Sequence, residues 1–403
     1  MKIKVGVIFG GETVEHEVSI ISAVQAMDFM DEEKYEIIPI YISKDRIWYT
    51  GPMLKEIEVY KDFNDLKRYA KKCVLFKKEG GFYLQSTGFF KRILSEIDIA
   101  FPIVHGNNVE DGSLAGYLDT IGIPYVGSHI LGAAMGQDKV IMKQVMDSDG
   151  IPVVPYTWFY DSEYLSFKKD ILKEIDKIGF PVIVKPATLG SSIGITVVKD
   201  KKEIENAIEE AIKYDVKIIV EKVVDHLVEV NCSVLGNYER QETSVLEEVV
   251  SSNEFLTYKD KYIGSGKVKG SKSFGGSKGM ASADRIIPAR LEDKLADTVR
   301  DLAKQTFKSL NLSGVCRIDF LIDKQKGKVY VNEPNTIPGS LAFYLWEPAG
   351  KSYGELLDDM ITLAIKDYKA RSKKTCSFDT NILSNFNGLK GAKGLKGLKG
   401  KVK

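Results

Sequence analysis

Residues 314–339 read Gly314-Val-Cys-Arg317-Ile-Asp319-Phe-Leu-Ile322, then Asp-Lys-Gln-Lys-Gly, then Lys328-Val-Tyr-Val-Asn332-Glu333-Pro-Asn335-Thr-Ile-Pro338-Gly339. Two alternating runs flank a short polar turn, which predicts a β-hairpin ending in Pro-Gly. Strand side chains alternate between faces, so Arg317 and Asp319 share a face, as do Glu333 and Asn335. A tight turn centred near Gln325 sets Arg317 opposite Glu333 and Asp319 opposite Val331. All four polar groups then fall on one face, while Cys316, Ile318, Phe320 and Ile322 fill the other. Two carboxylates with an amide oxygen make a hard-oxygen cluster of the kind that holds Mg²⁺ beside a phosphate. An adjacent arginine suits a developing oxyanion. A salt-bridged, solvated sheet face would carry the same charges. Against that stands the run Asn-Glu-Pro-Asn, which is poor strand material and calls for a reason.

The chain has 403 residues, enough for two or three domains with cores of their own. A net charge of +1 argues neither for nor against an anionic partner, and basic residues do not cluster in the folded part, which disfavours nucleic acid. The four cysteines (Cys73, Cys232, Cys316, Cys376) stand at no metal or redox spacing, as suits a reducing compartment. No apolar run reaches the roughly 18 residues of a membrane span. The N-terminus leads straight into a strand without a signal-peptide pattern. A cytoplasmic protein is expected.

Strands at 4–9, 35–42, 98–104 and 122–126 alternate with helical stretches, the first at 15–30, and suggest a parallel α/β sheet in a unit spanning 1–135. A second α/β unit, 136–225, has a helix at 137–148, strands at 153–159, 182–185, 194–198 and 217–221, and helices at 166–178 and 201–214. A third, 226–372, contains strands at 229–235 and 244–250, a helix at 290–310, the opening hairpin and a last helix at 353–368. The loop 251–284 is too long for a mere connector, and its Gly/Ser/Lys-rich middle suits a lid. The end of the chain, 373–403, finishes in Gly-x-Lys repeats with six lysines and no acid, and disorder is expected there.

Several familiar sites are missing. Gly350-Lys351-Ser352 lacks the upstream glycine of a P-loop, no G-x-G-x-x-G follows the first strand, no H-E-x-x-H occurs, and four histidines argue against zinc. What remains are separated pieces that fit nucleotide chemistry. Lys185 ends a strand before the turn Gly190-Ser191-Ser192-Ile193-Gly194, whose amides would line a phosphate. Glu221-Lys222 closes a strand, where a carboxylate and backbone groups would read a purine edge and ribose. Lys261-Tyr262 lies in the long loop. Each alone has a plain alternative: a hairpin turn, a solvated charged pair, an exposed loop lysine.

Together, and in this order, the pieces resemble the D-alanine–D-alanine ligase family of the ATP-grasp superfamily. Gly10-Gly11-x-x-x-Glu15-x-Glu17-Val18-Ser19 is similar to the family's opening, and His105-Gly106-x-x-x-Glu110-Asp111-Gly112 to its second signature. Lys139, Lys185, Gly190-Ser191-Ser192, Glu221-Lys222, Glu229, Lys261-Tyr262, Arg317-x-Asp319 and Asn332-Glu333-x-Asn335-x-x-Pro338-Gly339 follow, so that the resemblance covers about residues 1–370.

The resemblance implies an ATP-grasp fold of three α/β domains: an N-terminal parallel-sheet domain and a two-domain ATP-grasp module. It implies that Lys139 and Lys185 contact ATP phosphates, with Ser192 and Asn332 also on the nucleotide side. Glu221, Lys222, Val224 and Glu229 would hold adenine and ribose, and Lys261 would reach the γ-phosphate. Asp319, Glu333 and Asn335 would bind two Mg²⁺ (or Mn²⁺) ions. Glu15 would pair with the first D-alanine's ammonium, supported by Ser191 and Tyr262, with Val18 and His105 beside that substrate. Arg317 and the Gly339 amide would form the oxyanion site. The family is usually dimeric, so a homodimer is implied.

The segment after Gly339 is shortened relative to the family, and Ser340-Leu341 is expected to take over the contact with the second substrate's carboxylate. D-serine or another amino acid in that place, or an ATP-binding protein without catalysis, are the alternatives.

Overall fold

Strand β1 (Ile3–Gly10) is apolar at nearly every position because it is the inner strand of a parallel trio, covered on both faces. In the computed structural model, which describes residues 2–190, 193–250 and 284–377, it pairs in parallel with β2 (Tyr35–Ile42) and, further along the chain, with β7 (Ile99–Val104). The other strands of this seven-stranded sheet, β3 (Trp48–Thr50), β4 (Lys71–Lys78), β5 (Gly81–Ser86) and β6 (Ile93–Ile97), extend it as antiparallel hairpins in the order β6-β5-β4-β3-β2-β1-β7. The expected parallel sheet is therefore parallel only over β2-β1-β7. The expected strand at 122–126 reduces to a single bridge, Ala100 to Tyr125. Helices α1 (His16–Phe29), α2 (Phe63–Tyr69) and α3 (Ser113–Ile121) belong to this unit.

The helix expected at 137–148 is α5 (Lys139–Ser148), and a further helix, α4 (Ile130–Gln137), precedes it. Asp138 separates them: its carboxylate accepts from the Val140 and Ile141 amides at 2.9 and 3.1 Å, an N-cap worth about 1 kcal/mol. The next sheet runs β10-β9-β11-β8, from β8 (Tyr156–Tyr160), β9 (Val182–Pro186), β10 (Thr196–Val198) and β11 (Lys217–Lys222). β8 starts later than expected because Pro155 has no N–H for the ladder; its carbonyl accepts from the Lys222 amide instead. α6 (Asp161–Ile178) and α7 (Ile204–Ile212) cover one face with an apolar layer that includes Ile175, Ile208 and Val220.

The third sheet has the order β14-β13-β12-β15-β16, made of β12 (Leu227–Gly236), β13 (Gln241–Val250), β14 (Asp284–Ile286), β15 (Gly314–Asp323) and β16 (Lys328–Asn335). Cys316, Ile318, Phe320 and Ile322 pack with Val299 and Phe307 of α8 (Asp293–Ser309) in one core, so that face is closed and the polar face is left to the site. α9 (Tyr353–Ser372) returns to the first unit. Its Leu356, Leu357 and Met360 share a core with Val5, Phe9 and Met27, which joins the two ends of the described chain.

Candidate active site

A cavity of about 460 Å³ lies between the four- and five-stranded sheets, bordered by Glu15 and Val18 beside α1 and by His105 after β7. The opening hairpin forms its floor, with one change of register. Arg317 faces Asn335 and Asp319 faces Glu333, while Phe320 faces Val331; the ladder slips by one residue between Asp319 and Phe320. Asn332 is the extra residue. Val331 therefore does not stand opposite Asp319 but is buried in the core, and the bulge turns Glu333 and Asn335 out to join Arg317 and Asp319. The unfavourable Asn-Glu-Pro-Asn run thus has its reason in the bulge.

Arg317 donates from Nε and Nη2 to the two oxygens of Asp319 at 2.7 and 2.8 Å, and Asn335 Nδ2 donates to Asp319 Oδ2 at 3.1 Å. Burial works against the guanidinium charge, but Asp319 outweighs it and holds Arg317 well above its usual range. Glu333 lies 3.4 Å from Lys139 Nζ. Two carboxylates and an amide that presents Oδ1 when turned over fit a Mg²⁺ ion, which typically takes one or two carboxylates and completes its shell with water and phosphate oxygens. Among the described residues, no group of three or more His, Cys, Asp or Glu could hold a metal ion.

Beside the bulge, the Glu221 carboxylate is enclosed between two buried lysines. Lys185 of β9 donates to Oε2 at 2.7 Å, and Lys143 of α5 lies 3.4 Å from Oε1. Burial would raise the Glu221 carboxyl, but Lys143 and Lys185 outweigh it and keep it below the ordinary value. Burial would lower Lys185, yet Glu221 and Glu333 hold it above; for Lys143 burial wins and lowers it. Lys143 Nζ also donates to the Asn332 carbonyl at the bulge, at 3.2 Å. Glu221 also lines the cavity, and its Oε1 accepts no hydrogen bond. Lys222 donates to the carbonyls of Gly179 and Phe180 at 3.0 Å each. Val224 and Glu229 line the cavity, and Lys139 donates to the Leu189 carbonyl at 2.8 Å.

Glu15 sits at the start of α1 between two glycines. A Cβ on Gly106 or Gly190 would approach Glu15 Oε2 to 3.0 Å, so both glycines lie close against the carboxylate. His105 is buried with Nε2 3.2 Å from Ser22 Oγ, and burial lowers its pKa, so it is neutral. Glu110, quoted with its motif but given no role, proves central. Its oxygens accept from the Gly106 amide at 2.8 Å and from Thr336 Oγ1 and the Ile337 amide at 2.9 Å each. It thus ties the loop leading to Gly339 to the first unit, and burial pushes its pKa up to about 7.

Ser340 and Leu341 are tied to α1. The Ser340 amide donates to Ser22 Oγ at 2.9 Å, its hydroxyl donates to Gln25 Oε1 at 2.6 Å, and Leu341 is buried. Residues 340–342 have φ of 50 to 53°, a left-handed turn that directs them toward α1, and neither Ser340 nor Leu341 is among the described residues lining the cavity. Gly339 does line it. The expectations for Ser191, Ser192, Lys261, Tyr262, the loop and the Lys/Gly end fall outside the described residues.

Two sheets closing on a cavity, with buried lysines set beside a carboxylate–arginine hairpin, define the ATP-grasp class. Solved structures share the fold. The VanG D-Ala:D-Ser ligase from Enterococcus faecalis superposes with a TM-score of 0.76 at 30% identity, over 90% of this chain and 100% of that one. The D-alanine–D-alanine ligase from Bacillus anthracis complexed with ATP gives 0.64 at 26%, over 92% and 99%. The family described as D-ala D-ala ligase matches by its N-terminal part over residues 4–128 and by its C-terminal part over 145–362. A D-alanine–D-alanine ligase from Thermosipho melanesiensis is 40% identical over 383 residues, 94% of this chain and 98% of its own. The chain belongs to the D-alanine–D-alanine ligase family.

Proposed function

We infer that this chain is an ATP-dependent ligase that joins two D-alanines into D-alanyl-D-alanine for peptidoglycan. The observation that carries the reading is the meeting in one cavity of the Lys139 and Lys185 ammonium groups with the Arg317–Asp319–Glu333–Asn335 face and the Glu15 carboxylate. ATP enters with its phosphates toward Lys139 and Lys185 and near Asn332. Its adenine and ribose lie toward Glu229, Lys222, Val224 and the backbone at Glu221. Two divalent cations, Mg²⁺ or Mn²⁺, held by Asp319, Glu333 and Asn335, would screen the negative charge between ATP and the incoming carboxylate.

Glu15 takes the ammonium of the first D-alanine, with Val18 and neutral His105 beside it. A carboxylate is a poor acyl donor because its leaving group would be oxide. One of its oxygens therefore attacks the γ-phosphorus, the bond to ADP breaks, and an acyl phosphate forms. The amine of the second amino acid attacks the acyl carbon. Arg317 and the Gly339 N–H meet the tetrahedral oxyanion, the C–O bond breaks, phosphate departs and the amine loses its proton. Ser191 and Tyr262 as supports of Glu15, and Ser192 and Lys261 on the phosphates, belong to the same proposal on sequence grounds. So do three domains (1–135, 136–225, 226–372), a cytoplasmic location beside the ATP pool, and a homodimer, which light scattering would test.

The turned-away Ser340-Leu341 keeps a second reading in play, in which the acceptor is D-serine or another amino acid. Phosphate release from ATP, measured with D-alanine alone and then with added D-serine or D-lactate, separates the readings. D-alanine alone is expected to suffice, and silence with every D-amino acid would remove the ligase reading.

A further inference from the structure

Positive and negative charge balance over most of the chain, with one departure. Between residues 66 and 95 stand eight lysines and arginines and a single acid, Glu79, while the whole chain carries only +1. The expectation that basic residues do not cluster in the folded part is corrected there. Most of this stretch builds β4, β5 and β6, and β6 is the edge of the seven-stranded sheet. Glu79 sits in the turn between β4 and β5, at the opposite end of these strands from the loop 87–92 that joins β5 to β6.

Ser86 closes that loop. Its amide donates to the Arg92 carbonyl at 2.9 Å, its hydroxyl donates to the Phe90 carbonyl at 3.0 Å, and the Arg92 amide donates to Ser86 Oγ at 2.9 Å. The loop presents Phe89 and Phe90 to solvent, 97% and 72% exposed, with their rings meeting edge to face at 5.2 Å. Cross-strand partners share a face. Val74 stands beside Gln85 and Gln85 beside Ile93, so the exposed Val74 and Ile93 lie in one row next to the loop. Cys73, Leu75 and Leu84 point the other way, into the core. Lys72 shares the outer face with Val74, two residues on, and Lys72, Lys91 and Arg92 are all exposed.

Single apolar side chains are ordinary on a surface, but a contiguous group ringed by one sign of charge marks a contact site. Lysines on an edge strand guard against pairing with another sheet, a duty with no use for two phenyl rings. Base stacking would use open aromatic faces, yet the two rings turn edge to face on each other, and their neighbours Val74 and Ile93 are aliphatic. Apolar tips between cations match the layering of an anionic bilayer surface, where hydrocarbon lies beneath phosphate headgroups. Lysine and arginine stems reach along such an interface and keep their charges at the headgroups. No helix among the described residues is long and apolar enough to cross a membrane, so the contact is peripheral.

We propose that the loop 87–92 docks this protein on an anionic lipid surface, with Phe89 and Phe90 entering the acyl boundary and Lys72, Lys91 and Arg92 meeting the headgroup phosphates. The proposal stands apart from the ligase reading. None of these five residues lines the cavity, so docking leaves the site open.

The test sediments the full chain with vesicles of phosphatidylcholine alone and of phosphatidylcholine mixed with phosphatidylglycerol. The wild type is expected to favour the anionic vesicles by at least about tenfold, and to bind them less as salt rises. The double variant Phe89→Ser/Phe90→Ser should lose about tenfold of that binding, with its circular dichroism spectrum and its phosphate release from ATP unchanged. Phe90→Trp should add emission that shifts to the blue with anionic vesicles and stays put with neutral ones. Equal binding by the double variant would place the contact on the lysine-rich end, 388–403, and overturn the assignment. Equal sedimentation with both kinds of vesicle would overturn it too. So would a wild type that ignores vesicles, whether it forms a larger species in light scattering that the double variant does not form, which makes the loop an interface between copies, or retards a single-stranded RNA, which makes it a nucleic-acid surface.

Discussion

Two charged groups of the cavity wall are built differently. Around Glu221, the ammonium groups of Lys143 and Lys185 are buried and share one buried carboxylate. On the hairpin face, Arg317 and Asn335 converge on Asp319 with their side chains only partly buried. The first group is closed in by burial, while the second keeps polar atoms on the cavity wall, where a ligand can reach them.

Five substitutions sharpen this contrast. Glu333→Gln should have the largest effect, a loss of at least about a thousandfold in kcat with the circular dichroism spectrum intact. Retained turnover would remove Glu333 from the cation-binding set. Lys185→Met comes next. Losing one partner of a buried ion pair costs about 3–5 kcal/mol, and urea unfolding should register a loss of that order. Lys143→Met should cost less, because Glu221 keeps its shorter contact with Lys185; equal losses would refute the asymmetry.

Glu110 yields a smaller, pH-dependent effect. Its pKa is raised in the fold from 4.5 to about 7, so the folded protein holds the proton more tightly than the unfolded chain. The associated stability is fully present below about pH 4.5 and is lost as pH rises toward about 7. Glu110→Gln should flatten the unfolding free energy across that window, and an unchanged slope would contradict the assignment. Ser340→Ala should be mildest, a stability loss of about 1 kcal/mol for the hydrogen bond to Gln25 and little change in the acceptor KM. A large rise in that KM would return the acceptor carboxylate to Ser340.

The sequence disclosed these parts unequally, for physical reasons. The hairpin face was legible because a strand's two-residue period is rigid, and the apolar run of β1 announced a strand covered on both sides. The bulge at Asn332 was visible only as poor strand material, since the slip depends on how β16 meets β15. The hairpins β4–β6 escaped notice because exposed lysines and mixed burial blur their alternation. Glu221-Lys222 allowed either a purine and ribose contact or a solvated strand end, and only the packing of α5 against β11 makes the carboxylate internal. The loop 87–92 belongs to no motif, and the exposure of Phe89 and Phe90 shows only once β5 and β6 are folded beside β4.

The central claim is that the donor carboxylate is activated by phosphorylation before the peptide bond closes. D-Alanine labelled with ¹⁸O in its carboxylate, supplied with ATP and the enzyme, tests it directly. One labelled oxygen should appear in the inorganic phosphate for each dipeptide formed, because the oxygen that attacks phosphorus leaves with it. Dipeptide formed with unlabelled phosphate would contradict the account.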